Sequence, residues 1–170
     1  MPDLARTALI ALLTGAIFTA EARGQRPDQE NQHLALTGIT AVQARVVVQW
    51  DMAVTMRGGT TLSDFENDLR SAFERGLGGS GMSVDDTAPA RVDCVVSLTY
   101  LESAEGTVTL VRTVRLFNLD DPDEPLGRWT VAWSRGESRV TGRDELSGSE
   151  VGGDCAAAFG QDWRRANPRS

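Results

Sequence analysis

The sequence predicts an α+β fold: a two-layer sandwich in which a mostly antiparallel four-stranded sheet carries two helices on one face. Three observations predict it. Four segments have apolar residues alternating with period two, and two segments have apolar residues at helical spacing. The last three strand segments are joined by connections short enough to imply an antiparallel meander. The order is strand, helix, three strands, helix, and the apolar faces of the two kinds of element are buried only against each other.

The chain opens with the parts of a secretory signal. Met1 to Arg6 is a short start with one positive charge, offset in part by Asp3. Ala8 to Ala20 is apolar apart from Thr14, Gly15 and Thr19, and Ala20-Glu21-Ala22 supplies the small-x-small pattern a signal peptidase accepts. Cleavage is expected after Ala22, with Gly24 as a second fit. The run is shorter than the roughly 20 residues a spanning helix needs. No cysteine follows it to be lipidated and no Arg-Arg pair precedes it. The expected division is signal peptide 1–22, flexible polar leader 23–35, and one domain over 36–167.

Arg45 to Asp51 (RVVVQWD) alternates on Val46, Val48 and Trp50 and reads as a strand. Met52 to Thr60, with Gly58-Gly59, reads as a loop. Thr61 to Leu77 reads as a helix: Leu62, Phe65, Leu69, Ala72, Phe73 and Leu77 form one stripe, and Gly78-Gly79 ends it. Thr61-x-x-Asp64 and Ser63-x-x-Glu66 both offer a start. Val92 to Tyr100, Val108 to Leu116 and Trp129 to Ser134 read as three strands. Arg135 to Gly148 reads as a polar loop. A closing helix carries Val151, Cys155, Phe159 and Trp163 at intervals of four, with Arg164 and Arg165 in its last turn and Pro168 beyond it. Gly152 and Gly153 weaken its first turn. The ending Phe159-x-x-Asp162-Trp163 to Asn167-Pro168 has the look of a family signature.

Cys94 falls on the apolar face of a central strand and Cys155 on the stripe of the last helix. The sandwich brings those surfaces together, so in an oxidising compartment the pair is expected to form a disulfide. Two buried free thiols are the alternative. Without a CxxC spacing, redox or nucleophilic roles have no basis.

Catalytic chemistry finds few members. His33, the only histidine, sits in the polar leader, so histidine-based triads and zinc sites are not expected. Asp120-Asp121-Pro122-Asp123-Glu124 lacks the ligand spacing of a calcium loop and reads as a solvated turn. No glycine cluster has phosphate-loop spacing. No metal, cofactor or catalytic residue is therefore expected. Arg112 is the misfit, interrupting the apolar face of Val108, Leu110, Val114 and Leu116. It either pairs with a carboxylate, Asp93 or Glu102, or emerges at the sheet margin.

Charge narrows the partners. All 17 basic residues are arginine, against 24 acidic residues. Without residues 1–22 the balance is 16 to 22, a net charge of −6. Phosphate backbones and anionic lipid surfaces repel such a chain, so neither nucleic acid nor a membrane surface is an expected partner.

From Val46 to Asn167 the element order behind a signal peptide resembles small bacterial envelope domains: the amino-terminal domain of the Tol-Pal translocation protein and the lipopolysaccharide-assembly lipoprotein. The resemblance lies in element order, and the missing lipidation cysteine departs from the lipoprotein. It implies a periplasmic or secreted accessory role with an envelope protein as partner. The leading expectation is a non-enzymatic interaction module docking through an exposed sheet edge. The alternative is a carrier of small apolar ligands, with a pocket between sheet and helices lined by Trp50, Trp129 and Trp133. A carboxylate hydrolase would draw on Asp51, Asp64, Glu66 and Asp93.

Overall fold

The computed structural model describes residues 29–50, 60–101, 106–119 and 128–168. The signal residues with Ala20 and Ala22, Asp51, Glu102 and the acidic turn at 120–124 lie outside them. The elements run α1 (Gln29–Leu36), β1 (Ala41–Trp50), α2 (Leu62–Gly79), β2 (Ser83–Val84), β3 (Ala90–Tyr100), β4 (Thr107–Leu119), β5 (Trp129–Gly142), a 3-10 turn (Arg143–Glu145) and α3 (Gly148–Ala166).

The α+β class holds, but among the described residues the sheet has five strands and is mixed. Its order is β2-β1-β3-β4-β5. The meander β3-β4-β5 is antiparallel as expected, whereas β1 runs parallel to β3 and to the two-residue β2. The physical reason is the connection: β1 reaches β3 through α2, and a helical crossover returns the chain in the same direction. β5 also runs eight residues past Ser134, through a segment that reads as loop because its side chains are polar. Its backbone is held by β4 over Thr107 to Leu119, whatever its side chains prefer.

There are three helices among the described residues, not two. The leader expected over 23–35 overlaps α1, whose sequence has almost no amphipathic pattern. α1 is held from a distance. Leu36 is fully buried, and Asn167, just past α3, donates through Nδ2 to the Leu36 carbonyl at 2.9 Å and accepts from the Gly38 N–H at 2.8 Å. Gly38 has φ +77°, a left-handed conformation that glycine adopts without strain.

α2 begins on one of the two expected caps. Thr61 accepts from the Asp64 N–H at 3.1 Å, and Asp64 accepts from the Thr61 N–H at 2.9 Å. The Thr61 hydroxyl also donates to the Asp64 carboxylate at 2.7 Å, and that bond first, with the Thr61 N–H second, holds the carboxyl below its ordinary range. The stripe Phe65, Leu69, Ala72, Phe73 and Leu77 is buried as its spacing predicts. On the facing helix, the residues closest to α2 are small: Gly148, Gly152, Ala156 and Gly160 recur every fourth position. A Cβ on Gly152 would overlap the Leu69 carbonyl oxygen and stand 3.1 Å from the Ala72 Cβ. These glycines let two helix backbones approach closely, so Gly152 is a packing residue as well as a weak point of the first turn.

Cys94 on β3 and Cys155 on α3 are joined in a disulfide across the core, with Cα atoms 6.0 Å apart. Trp133 and Phe159 meet edge to face at 5.3 Å. Trp163 donates to the Ile39 carbonyl at 2.8 Å, tying α3 to the start of β1. The apparent signature at the end of the chain therefore does structural work: Phe159 fills the core, and Trp163 and Asn167 fasten α1 and the turn after it.

Candidate functional site

β5 lies at the margin of the sheet, with β4 as its single strand neighbour among the described residues. Ser134 to Ser138 are all exposed. At the opposite margin, the start of β1 is flanked by β2 and by a turn in which Gln43 donates to the Ala88 carbonyl at 2.7 Å. Past Val42, β1 too has a strand neighbour on one side only among the described residues, over Gln43 to Trp50, so β5, with 14 residues, is the longer of two open edges.

Its side chains change character along the strand. Register with β4 places Trp133 opposite Leu116, Arg135 opposite Val114, Glu137 opposite Arg112 and Arg139 opposite Leu110, all on the face that carries the helices. Trp133 is 2% exposed, while the three charged residues beyond it sit beside the polar flank of α3. There Arg112 pairs with Glu137 and lies 3.1 Å from Asp154, Arg135 lies 3.4 Å from Asp162, and Arg139 lies 3.0 Å from Glu150. Ser134, Gly136, Ser138 and Val140 point to the opposite face. A register irregularity opposite Leu116 and Phe117 marks a bulge near Ala132.

Between β5 and α3 this arrangement leaves an open cleft of about 350 Å³, lined by Arg112, Arg135, Arg164, Glu137, Asp154 and Gln161 together with Ala157 and Ala158. Arg112 is therefore paired, as one reading of the sequence required, but with other partners. Asp93 is engaged by Arg91 at 2.8 Å instead. Sequence distance hid the true partners: Glu137 is 25 residues away and reaches Arg112 only through the β4-β5 register.

The three tryptophans do not share a pocket. Trp50 and Trp133 lie on the helix-facing side, on opposite strands of the described sheet, and Trp133 is core. Trp129 is on the other face, where the Arg91 guanidinium stacks between it and Phe117 at 4.6 and 4.8 Å. The carboxylates named for hydrolysis are dispersed: Asp64 caps α2, Glu66 pairs with Arg70 and Asp93 with Arg91. No group of three potential metal ligands occurs among the described residues, and no helix there is long and apolar enough to cross a membrane.

The geometry defines an α+β domain with one mixed sheet, a helix layer and an exposed edge strand. No known family model matches the chain. No curated protein matches it either. Among solved structures it is similar to a PelC dodecamer from Paraburkholderia phytofirmans, at 16% identity and a TM-score of 0.40 over 75% of this chain and 91% of that one. It is also similar to an uncharacterised protein, at 14% and 0.35 over 75% and 87%. A third likeness is to a protein provisionally assigned as a lipoprotein from Caulobacter crescentus, at 12% and 0.38 over 79% and 93%. At such values the likeness carries nothing about activity or partner.

Proposed function

We propose that this chain is an exported, non-enzymatic interaction domain that takes a partner strand along the edge of β5. The observation that carries the reading is the edge itself. A 14-residue edge strand offers unpaired backbone donors and acceptors, and its central residues Ser134 to Ser138 are exposed. Strand addition draws its affinity from such main-chain groups and its selectivity from the side chains alongside. Here those are Arg135 and Glu137.

Export is supported by the signal-like residues 1–22 and by the Cys94–Cys155 disulfide, a bond that persists in oxidising compartments. An envelope setting accords with the resemblance in element order to the Tol-Pal and lipopolysaccharide-assembly domains.

The test is site-specific photo-crosslinking in exporting cells. A photoreactive residue at Ser134 or Ser138 should give a discrete adduct, and one at Asn67, on the exposed side of α2, should give none. Equal labelling at the three positions, or no adduct on β5, would sink the reading.

A further inference from the structure

We propose that the strand taken on the β5 edge is β5 of a second copy of this chain, paired antiparallel about a two-fold axis at Gly136; this rests on the reading of β5 as the docking edge. Inward-pointing charges and bulges ordinarily keep an edge strand from pairing with whatever strand arrives. β5 has both, in Arg135, Glu137 and Arg139 and in the irregularity opposite Leu116 and Phe117. An apolar strand laid beside it would cover the exposed sides of Arg135 and Glu137 and give them nothing in return, which disfavours it.

A second copy answers the two charges nearest Gly136, because Arg135 and Glu137 flank that glycine with opposite sign; Arg139 falls opposite Trp133 and keeps Glu150 as its partner. In an antiparallel pairing centred there, Arg135 of each copy lies opposite Glu137 of the other, twice, on one face of the joined sheet. Opposite charges directly across a strand pair attract. On the other face Ser134 lies opposite Ser138, and Gly136 opposite its own counterpart, so nothing bulky stands at the axis. Arg135 and Glu137 are 47% and 64% exposed at the side chain, and so remain reachable although Asp162 and Arg112 each hold one side.

The same register answers a second feature. Val131 and Val140 are 54% and 62% exposed, unusual for valines in a strand. In this pairing Val140 of one copy falls opposite Ala132 and beside Val131 of the other, which covers both. The pairing is regular from Trp133 to Arg139, and the bulge at Ala132 marks where it ends. Two five-stranded sheets would become one of ten strands.

Sedimentation and light scattering of the mature chain test this. A dimer is expected, weakened by salt. Arg135→Glu and Glu137→Arg should each weaken it tenfold or more, since each sets like charges together at two symmetric places, and R135E/E137R together should restore it. Gly136→Cys should cross-link to itself on mild oxidation. Circular dichroism checks that each variant is folded; E137R also removes a partner of Arg112, so R135E decides if E137R is unstable. A chain that stays monomeric at every concentration overturns self-pairing, and so does a dimer indifferent to R135E. Adducts from Ser138 to a different protein, with a monomeric chain, would leave the edge reading standing and this inference refuted.

Discussion

Gly152 and Gly153 are neighbours in one helix, and replacing each with alanine should move stability in opposite directions. In a helix interior, alanine is favoured over glycine by about 1 kcal/mol. At Gly153 nothing lies within 4 Å of the added Cβ, so most of that gain should appear, a stabilisation of about 0.5–1 kcal/mol. At Gly152 the Cβ would overlap the Leu69 carbonyl oxygen and stand 3.0 Å from its carbon and 3.1 Å from the Ala72 Cβ. The obstacle is α2 backbone, which no rotamer change can clear, so the helices must separate. Overpacking of this kind costs about 1–3 kcal/mol, with backbone obstruction toward the upper end. After the propensity gain, Gly152→Ala should be destabilised by about 1–2 kcal/mol. Urea unfolding of both variants should place them about 2–3 kcal/mol apart, or several degrees in Tm for a chain of this size. If G152A proves as stable as G153A, the close approach of α2 and α3 is wrong.

Replacing Cys94 and Cys155 by alanine together opens a loop with a sequence separation of 61. The chain-entropy relation puts the loss at about 4 kcal/mol, read as a lower urea midpoint; an unchanged midpoint would remove the disulfide's structural role. The Asp64 carboxyl is held below its ordinary value by Thr61, so its contribution to the start of α2 is present above pH 3.8 and lost as pH falls through the lower folded value. The stability difference between the wild type and Asp64→Asn should shrink toward zero across that acid range, and a difference constant from pH 7 to pH 2 would contradict the capping box.

Much of this molecule was legible in its residues because period and capping chemistry are local. The stripe of α2, the Thr61–Asp64 box, the β3-β4-β5 meander and the inward placement of Cys94 and Cys155 all follow from spacing of a few positions. The two cysteines paired because both were already on faces that had nowhere else to go. What escaped was what depends on contact between distant segments. α1 has no amphipathic pattern and exists through Leu36 and Asn167, 131 residues apart. The second half of β5 is polar and reads as loop, yet β4 holds it as strand. Gly152 shows its close approach to α2 only once Leu69 is beside it, although the spacing Gly148, Gly152, Ala156, Gly160 was the available signal. The edge on β5, with Arg135 and Glu137 set about Gly136, also belongs to tertiary structure. Sequence fixes which residues a strand carries; only the packing of the sheet decides which strand is left without a neighbour.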